Sequence, residues 1–141
     1  MKTHARATLP LLLLALAAAC ARGAGEPAPR SGLAGVWDLV TVDGAQLPAP
    51  SPEEPNVLLR SVTMTLGNDG EYALLSAFRM QGQAEDTEAT IGGTWKADGD
   101  ALTFYTESGG PAVVQFGIVL EGETLLMTDE VGHVWAMRRR R

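Results

Sequence analysis

The sequence predicts an all-β protein, a small up-and-down antiparallel barrel of about eight strands that follows a leader and a flexible tether. Three observations carry this expectation. From Gly32 onward, short runs rich in β-branched and aromatic residues alternate with turn signals. No stretch of that region keeps a helical hydrophobic period over a useful length. The turns come at short, regular spacing, and 16 glycines and 8 prolines in 141 residues supply them.

The first strand covers 35–42, and Asp43-Gly44 ends it. Residues 47–55 carry Pro48, Pro50, Pro52 and Pro55 and read as a loop, because proline cannot donate to a strand ladder. The second strand is 58–66, with Val62, Met64 and Leu66 facing one way and Ser61, Thr63 and Thr65 the other. Asn68-Asp69-Gly70 is a strong hairpin turn into a third strand, 71–80. There Tyr72, Leu74, Ser76, Phe78 and Met80 share a face.

A polar loop at 81–88 leads to a fourth strand, 89–96. Its Gly92-Gly93 pair predicts a bulge or a sharp bend at a barrel corner. Strands at 101–106, 112–120, 124–128 and 133–138 follow, separated by glycine-containing turns. Successive hairpins make sequence neighbours spatial neighbours. Closure of the first strand on the last removes exposed edges. Alternation puts Trp37, Leu39 and Thr41 on one face and His133, Trp135 and Met137 on one face. With both faces interior, Trp37 and Trp135 come close together and His133 points inward near a rim.

The N-terminal end reads as an export signal. Lys2, His4 and Arg6 form a basic start, and an apolar run at 9–19 is too short to span a bilayer permanently. Leu16-Ala17-Ala18-Ala19-Cys20 resembles the lipobox read by bacterial lipoprotein signal peptidase, although that pattern places Leu three residues before Cys, where this chain has Ala17. The expectation is that Cys20 becomes the first mature residue, carries lipid and anchors the protein to a membrane of the bacterial cell envelope. The alternative is ordinary secretion after cleavage at Ala17-Ala18-Ala19. Residues 21–32, built of Gly, Pro, Ala and a few polar groups, read as a spacer. The expected organisation is a signal peptide at 1–19, a lipid-anchored linker at 20–32, a barrel at 33–138 and a basic tail at 139–141.

Gly35-x-Trp37, followed by Leu39-Val40-Thr41-Val42-Asp43-Gly44 and Leu47-Pro48, resembles the opening of bacterial lipocalin-like domains. Gly92-Gly93-Thr94-Trp95, Asp98-Gly99-Asp100-Ala101-Leu102-Thr103, Gly122-Glu123-Thr124-Leu125 and the last strand through Arg138 are similar to their turn-plus-strand phrases. The resemblance covers roughly residues 33–139. It implies a lipocalin-like barrel in which Trp37 plugs one end and Arg138 or Arg139 lies against it. The META domain has a similar first strand, but its Gly-Cys-Asn motif is absent, since no cysteine follows Cys20.

Charge excludes some partners. Residues 31–137 hold three bases against 16 acids, and four arginines then end the chain. Such an acidic body repels a phosphate backbone, so no nucleic-acid partner is expected. Cys20 is the only cysteine, which excludes an internal disulfide. His133 with Asp129 and Glu130 lacks a fourth ligand and reads as a surface histidine, so no metal or other cofactor is expected. Ser61, Ser76 and Ser108 offer no convincing nucleophile for His133 to activate, and the expectation is a monomer that is not an enzyme. Glu53-Glu54 and Glu85-Asp86 read as solvated charge.

The apolar candidates for the barrel interior are Trp37, Leu39, Met64, Leu74, Phe78, Trp95, Phe104 and Trp135, with Val119 and Met127 beside them. They have two readings. They line a site for a small apolar ligand, or they fill the barrel, which then acts through loops such as 81–88 as an envelope interaction or inhibitor protein.

Overall fold

The structure, a computed structural model, describes residues 32–106 and 110–141. The expected leader, Cys20, the spacer through residue 31 and Ser108 lie outside the described residues.

The described residues form ten antiparallel strands: β1 (Gly35–Val42), β2 (Ala45–Gln46), β3 (Ala49–Pro50), β4 (Val57–Leu66), β5 (Glu71–Met80), β6 (Thr87–Asp98), β7 (Ala101–Tyr105), β8 (Ala112–Glu121), β9 (Thr124–Thr128) and β10 (Val134–Arg139). The eight longer strands form a closed barrel. Each pairs with the next along the chain, and β1 pairs with both β10 and β4. The two-residue strands β2 and β3 attach to β1 and β4 respectively. This is the predicted up-and-down order, with β3 as the exception. Pro50 pairs with Leu58 within the stretch expected to be a loop. A proline is tolerated there because β3 is the outermost strand of its run and has no further neighbour to bond.

Two local features overturn the simple alternation. A register shift between Leu39 and Thr41 inserts an extra residue in β1 against β10. It turns Val42 rather than Thr41 into the core after Trp37 and Leu39. A similar shift between Leu59 and Ser61 in β4 keeps both Leu59 and Val62 buried. At Gly92-Gly93, by contrast, β5 and β6 stay in register, so the expected bulge is absent. The pair serves a close approach instead. A Cβ on Gly93 would lie 1.9 Å from the Tyr105 carbonyl oxygen where β7 leaves the sheet.

The register also separates two tryptophans that the sequence placed together. β1 runs against β10 with Trp37 opposite Arg139 and Val42 opposite Trp135. Both rings belong to the core side, but they sit at opposite ends of the paired segment. His133 precedes β10 and turns to Asp43, with Nδ1 2.8 Å from Oδ2, rather than pointing into the barrel.

One end of the barrel is filled. Leu33, Trp37, Leu66, Trp95, Leu102 and Leu125 are almost wholly buried there. The Trp37 indole donates to the Leu33 carbonyl at 2.8 Å. The Arg139 guanidinium lies over the Trp37 ring, 4.2 Å from its centroid, and donates to the carbonyls of Ala34, at 2.7 Å, and Gly32. Gly35 makes room for that arginine. A Cβ at Gly35 would sit 2.5 Å from the guanidinium, and its φ of 142° disfavours other residues. Arg139 is thus the arginine that meets Trp37, and it belongs to the last strand. Arg140 holds Asp38, and Arg141 holds Glu123.

Removing so large a buried ring leaves a cavity. Trp37→Ala is expected to cost about 3–5 kcal/mol of stability. Chemical denaturation of the variant beside the parent measures it, and a loss below about 1 kcal/mol would contradict the plug.

Candidate functional site

The strands start and stop at different heights, and this shapes the interior. β5 and β6 pair over eight positions, from Glu71–Thr94 to Phe78–Thr87. β6 and β7 pair only from Thr94 to Asp98. Among the described residues, the Thr87–Gly93 part of β6 therefore has no strand on its second edge. β7 is only five residues long, so the wall is low on that side.

Above the tryptophan-filled end, the interior holds a cavity of about 430 Å³, within the roughly 300–1,000 Å³ usual for small-molecule sites. Its walls come from seven strands: Leu39 of β1, Val62 and Met64 of β4, Tyr72 and Leu74 of β5, Phe104 of β7, Val114 and Phe116 of β8, Met127 of β9, and Trp135 and Met137 of β10. Ile91 of β6, Val113 of β8 and Glu53 also border it. Ile91 and Val113 are 55% and 54% exposed, which places the mouth between β6 and β8 beyond the end of β7. Three rings stack edge-on along one side, with Tyr72 to Phe104 at 4.7 Å and Phe104 to Phe116 at 6.0 Å between centroids.

Of the eight residues predicted to line the interior, Leu39, Met64, Leu74, Phe104 and Trp135 border the cavity. Trp37 and Trp95 lie in the filled end, and Phe78 packs against the core without reaching the cavity. Val119 faces outward, because β8 turns Val114, Phe116 and Ile118 inward on the other parity. That strand is apolar on both faces, so alternation alone did not choose between them. Val62, Tyr72 and Met137 share the predicted inward faces and were findable by parity. Glu53, Ile91 and Val113 became lining residues only through the loop path and the uneven wall, which leave no local signal.

No protein-family model, curated protein or solved structure matches the chain. The closed eight-stranded antiparallel barrel is consistent with a lipocalin-like fold.

The rim is organised by carboxylates that accept backbone amides. Asp129 Oδ1 accepts from Val131, Gly132 and His133, at 3.0, 2.9 and 2.9 Å. Burial pushes its carboxyl up, but these bonds outweigh it and the pKa falls below the usual value. Asp43 Oδ1 accepts from the Val134 amide at 2.8 Å, and that bond, with His133 on the other oxygen, lowers its pKa. At the filled end, Arg140 lowers the pKa of Asp38, helped by the Thr63 hydroxyl. Among the described residues, no group of three or more His, Cys, Asp or Glu is placed to hold a metal ion. Ser76 turns its hydroxyl to the Ala89 carbonyl, at 3.5 Å.

These shifts predict an acid limb of stability. A carboxyl whose folded pKa is depressed contributes stability that is complete above its unfolded value, about 3.9, and fades as pH falls through the folded one. Asp43→Asn removes that contribution at one site while tolerating the positive φ of 50° there. Thermal midpoints should place the variant below the parent at neutral pH, with the gap closing below about pH 4. A gap that stays constant across the acid range would contradict the assignment.

Proposed function

We propose that this protein is an exported, lipid-anchored binding protein of lipocalin-like type that takes a small apolar ligand into the barrel. The observation that carries the reading is the cavity itself. It is walled by aliphatic, aromatic and methionine side chains from all eight longer strands, and it opens to solvent on one side. Such a surface is costly to leave wet and favours an apolar occupant. The acidic body is poorly suited to nucleic acid.

The chain enters the barrel at its filled end, where Arg139 holds the Gly32 carbonyl. With lipid on Cys20, twelve residues before Gly32, the tether joins the anchor to the filled end of the barrel.

Two measurements test the two halves of this reading. N-phenyl-1-naphthylamine, a neutral probe that brightens in apolar surroundings, should bind the protein. Val114→Trp, which fills the cavity, and Val113→Glu, which charges its exposed border, should each weaken binding at least about tenfold. Circular dichroism confirms that each variant stays folded. A folded parent that leaves the probe dark would overturn the binding reading and favour a barrel that acts through its loops. For the anchor, cells fed a fatty-acid analogue should label the parent but not Cys20→Ser. Label retained in that variant would refute lipidation at Cys20.

A further inference from the structure

The cavity has an unusual polar inventory. Among the described residues, Glu53 is the only charged one that lines it, and no basic side chain borders it. Arginines and the histidine of the neighbouring strands and loops have partners elsewhere. Arg60 and Arg79 both reach Asp86, at 3.4 and 2.8 Å, and His133 is held by Asp43. Among the described lining residues, Tyr72 carries a hydroxyl, and the indole N–H of Trp135 is turned to Asp129 at 3.5 Å. Tyr72 is only 8% exposed and lines the cavity wall. A phenol on a cavity wall offers a donor and an acceptor to an occupant.

Resting on the binding function proposed above, we propose that the cavity selects amphiphiles whose polar group is a cation or a neutral hydrogen-bonding group, such as a long-chain amine or alcohol, over those bearing a carboxylate. A carboxylate in this cavity meets no cation among the described lining residues. It would sit beside Glu53, and a desolvated anion without a partner is strongly disfavoured. An ammonium at the border meets the Glu53 carboxylate in a charge-assisted hydrogen bond while its chain covers the apolar walls. A hydroxyl, needing no counter-charge, finds the Tyr72 phenol. Burial raises the pKa of that phenol and keeps it a neutral donor at ordinary pH. The acidic body adds a long-range field of the same preference.

The test is displacement of N-phenyl-1-naphthylamine from the full chain at pH 7 by dodecylamine, dodecanol and dodecanoate, which share one chain length. Dodecylamine should displace the probe at a concentration at least about fivefold lower than dodecanoate, with dodecanol between them. Glu53→Gln should bring dodecylamine to within about twofold of dodecanol. Glu130→Gln removes the same charge from an exposed residue that does not line the cavity and should keep the parent's order. Tyr72→Phe should weaken dodecanol by about threefold relative to dodecylamine. Dodecanoate competing as well as dodecylamine overturns this proposal while the binding function stands. A probe that never binds overturns the binding function itself. Equal effects of Glu53→Gln and Glu130→Gln would replace Glu53 by the general surface field as the source of selection, and so refute its role.

Discussion

The contact between Trp37 and Arg139 is the constraint on which the rest of the barrel depends. It lies on the seam where the first strand meets the last, and that seam turns a meander into a closed wall. An indole alone would fill the barrel end. The guanidinium adds a lid that stacks on the ring and ties down the entering chain through the carbonyls of Gly32 and Ala34. A charged group is tolerated there because its donors are satisfied by backbone oxygens and its face by the ring. The contact also brings both ends of the described chain, Gly32 and the closing arginines, to one side. The neighbouring arginines then pair with Asp38 and Glu123.

With one end filled, the other is free to be hollow. Filled barrel and hollow barrel looked like alternatives in the sequence, yet this molecule has a filled end and a cavity, one above the other. Two tryptophans occupy the narrow half, and aliphatic side chains with a row of stacked rings surround the open half. The opening follows from strand length. β7 ends at Tyr105, while β6 continues upward against β5 alone, so Ile91 and Val113 face the interior and solvent at once. Gly93 permits this arrangement, since any side chain there would collide with the departing β7 backbone.

Acidic residues at the open end have distinct tasks despite their similar appearance in the sequence. Asp129 and Asp43 shape the loops before and after the seam by accepting backbone amides, and Asp86 gathers two arginines. Glu53 has none of these duties and borders the cavity. The charge pattern around the mouth is therefore the remainder after loop geometry has used the other groups.

The order of the strands was legible in the sequence because hairpin turns, β-branched runs and period-two alternation are local signals, each written within about ten residues. The filled end was legible too, through the Gly35-x-Trp37 phrase and the closing arginines. What alternation could not supply was the register between strands distant in the chain. The extra residue in β1 exchanges Thr41 for Val42, the pairing of β1 with β10 sends Trp37 and Trp135 to different ends, and β8, apolar on both faces, turns Ile118 rather than Val119 inward. Five of eight predicted lining residues reach the cavity, because parity selects a face but not a height along the barrel. Local chemistry thus determined which strands form and in what order. The height of each residue, the position of the mouth and the presence of Glu53 beside it were decided only when the ring closed, since they depend on strand ends and staggers set by partners far away in the chain.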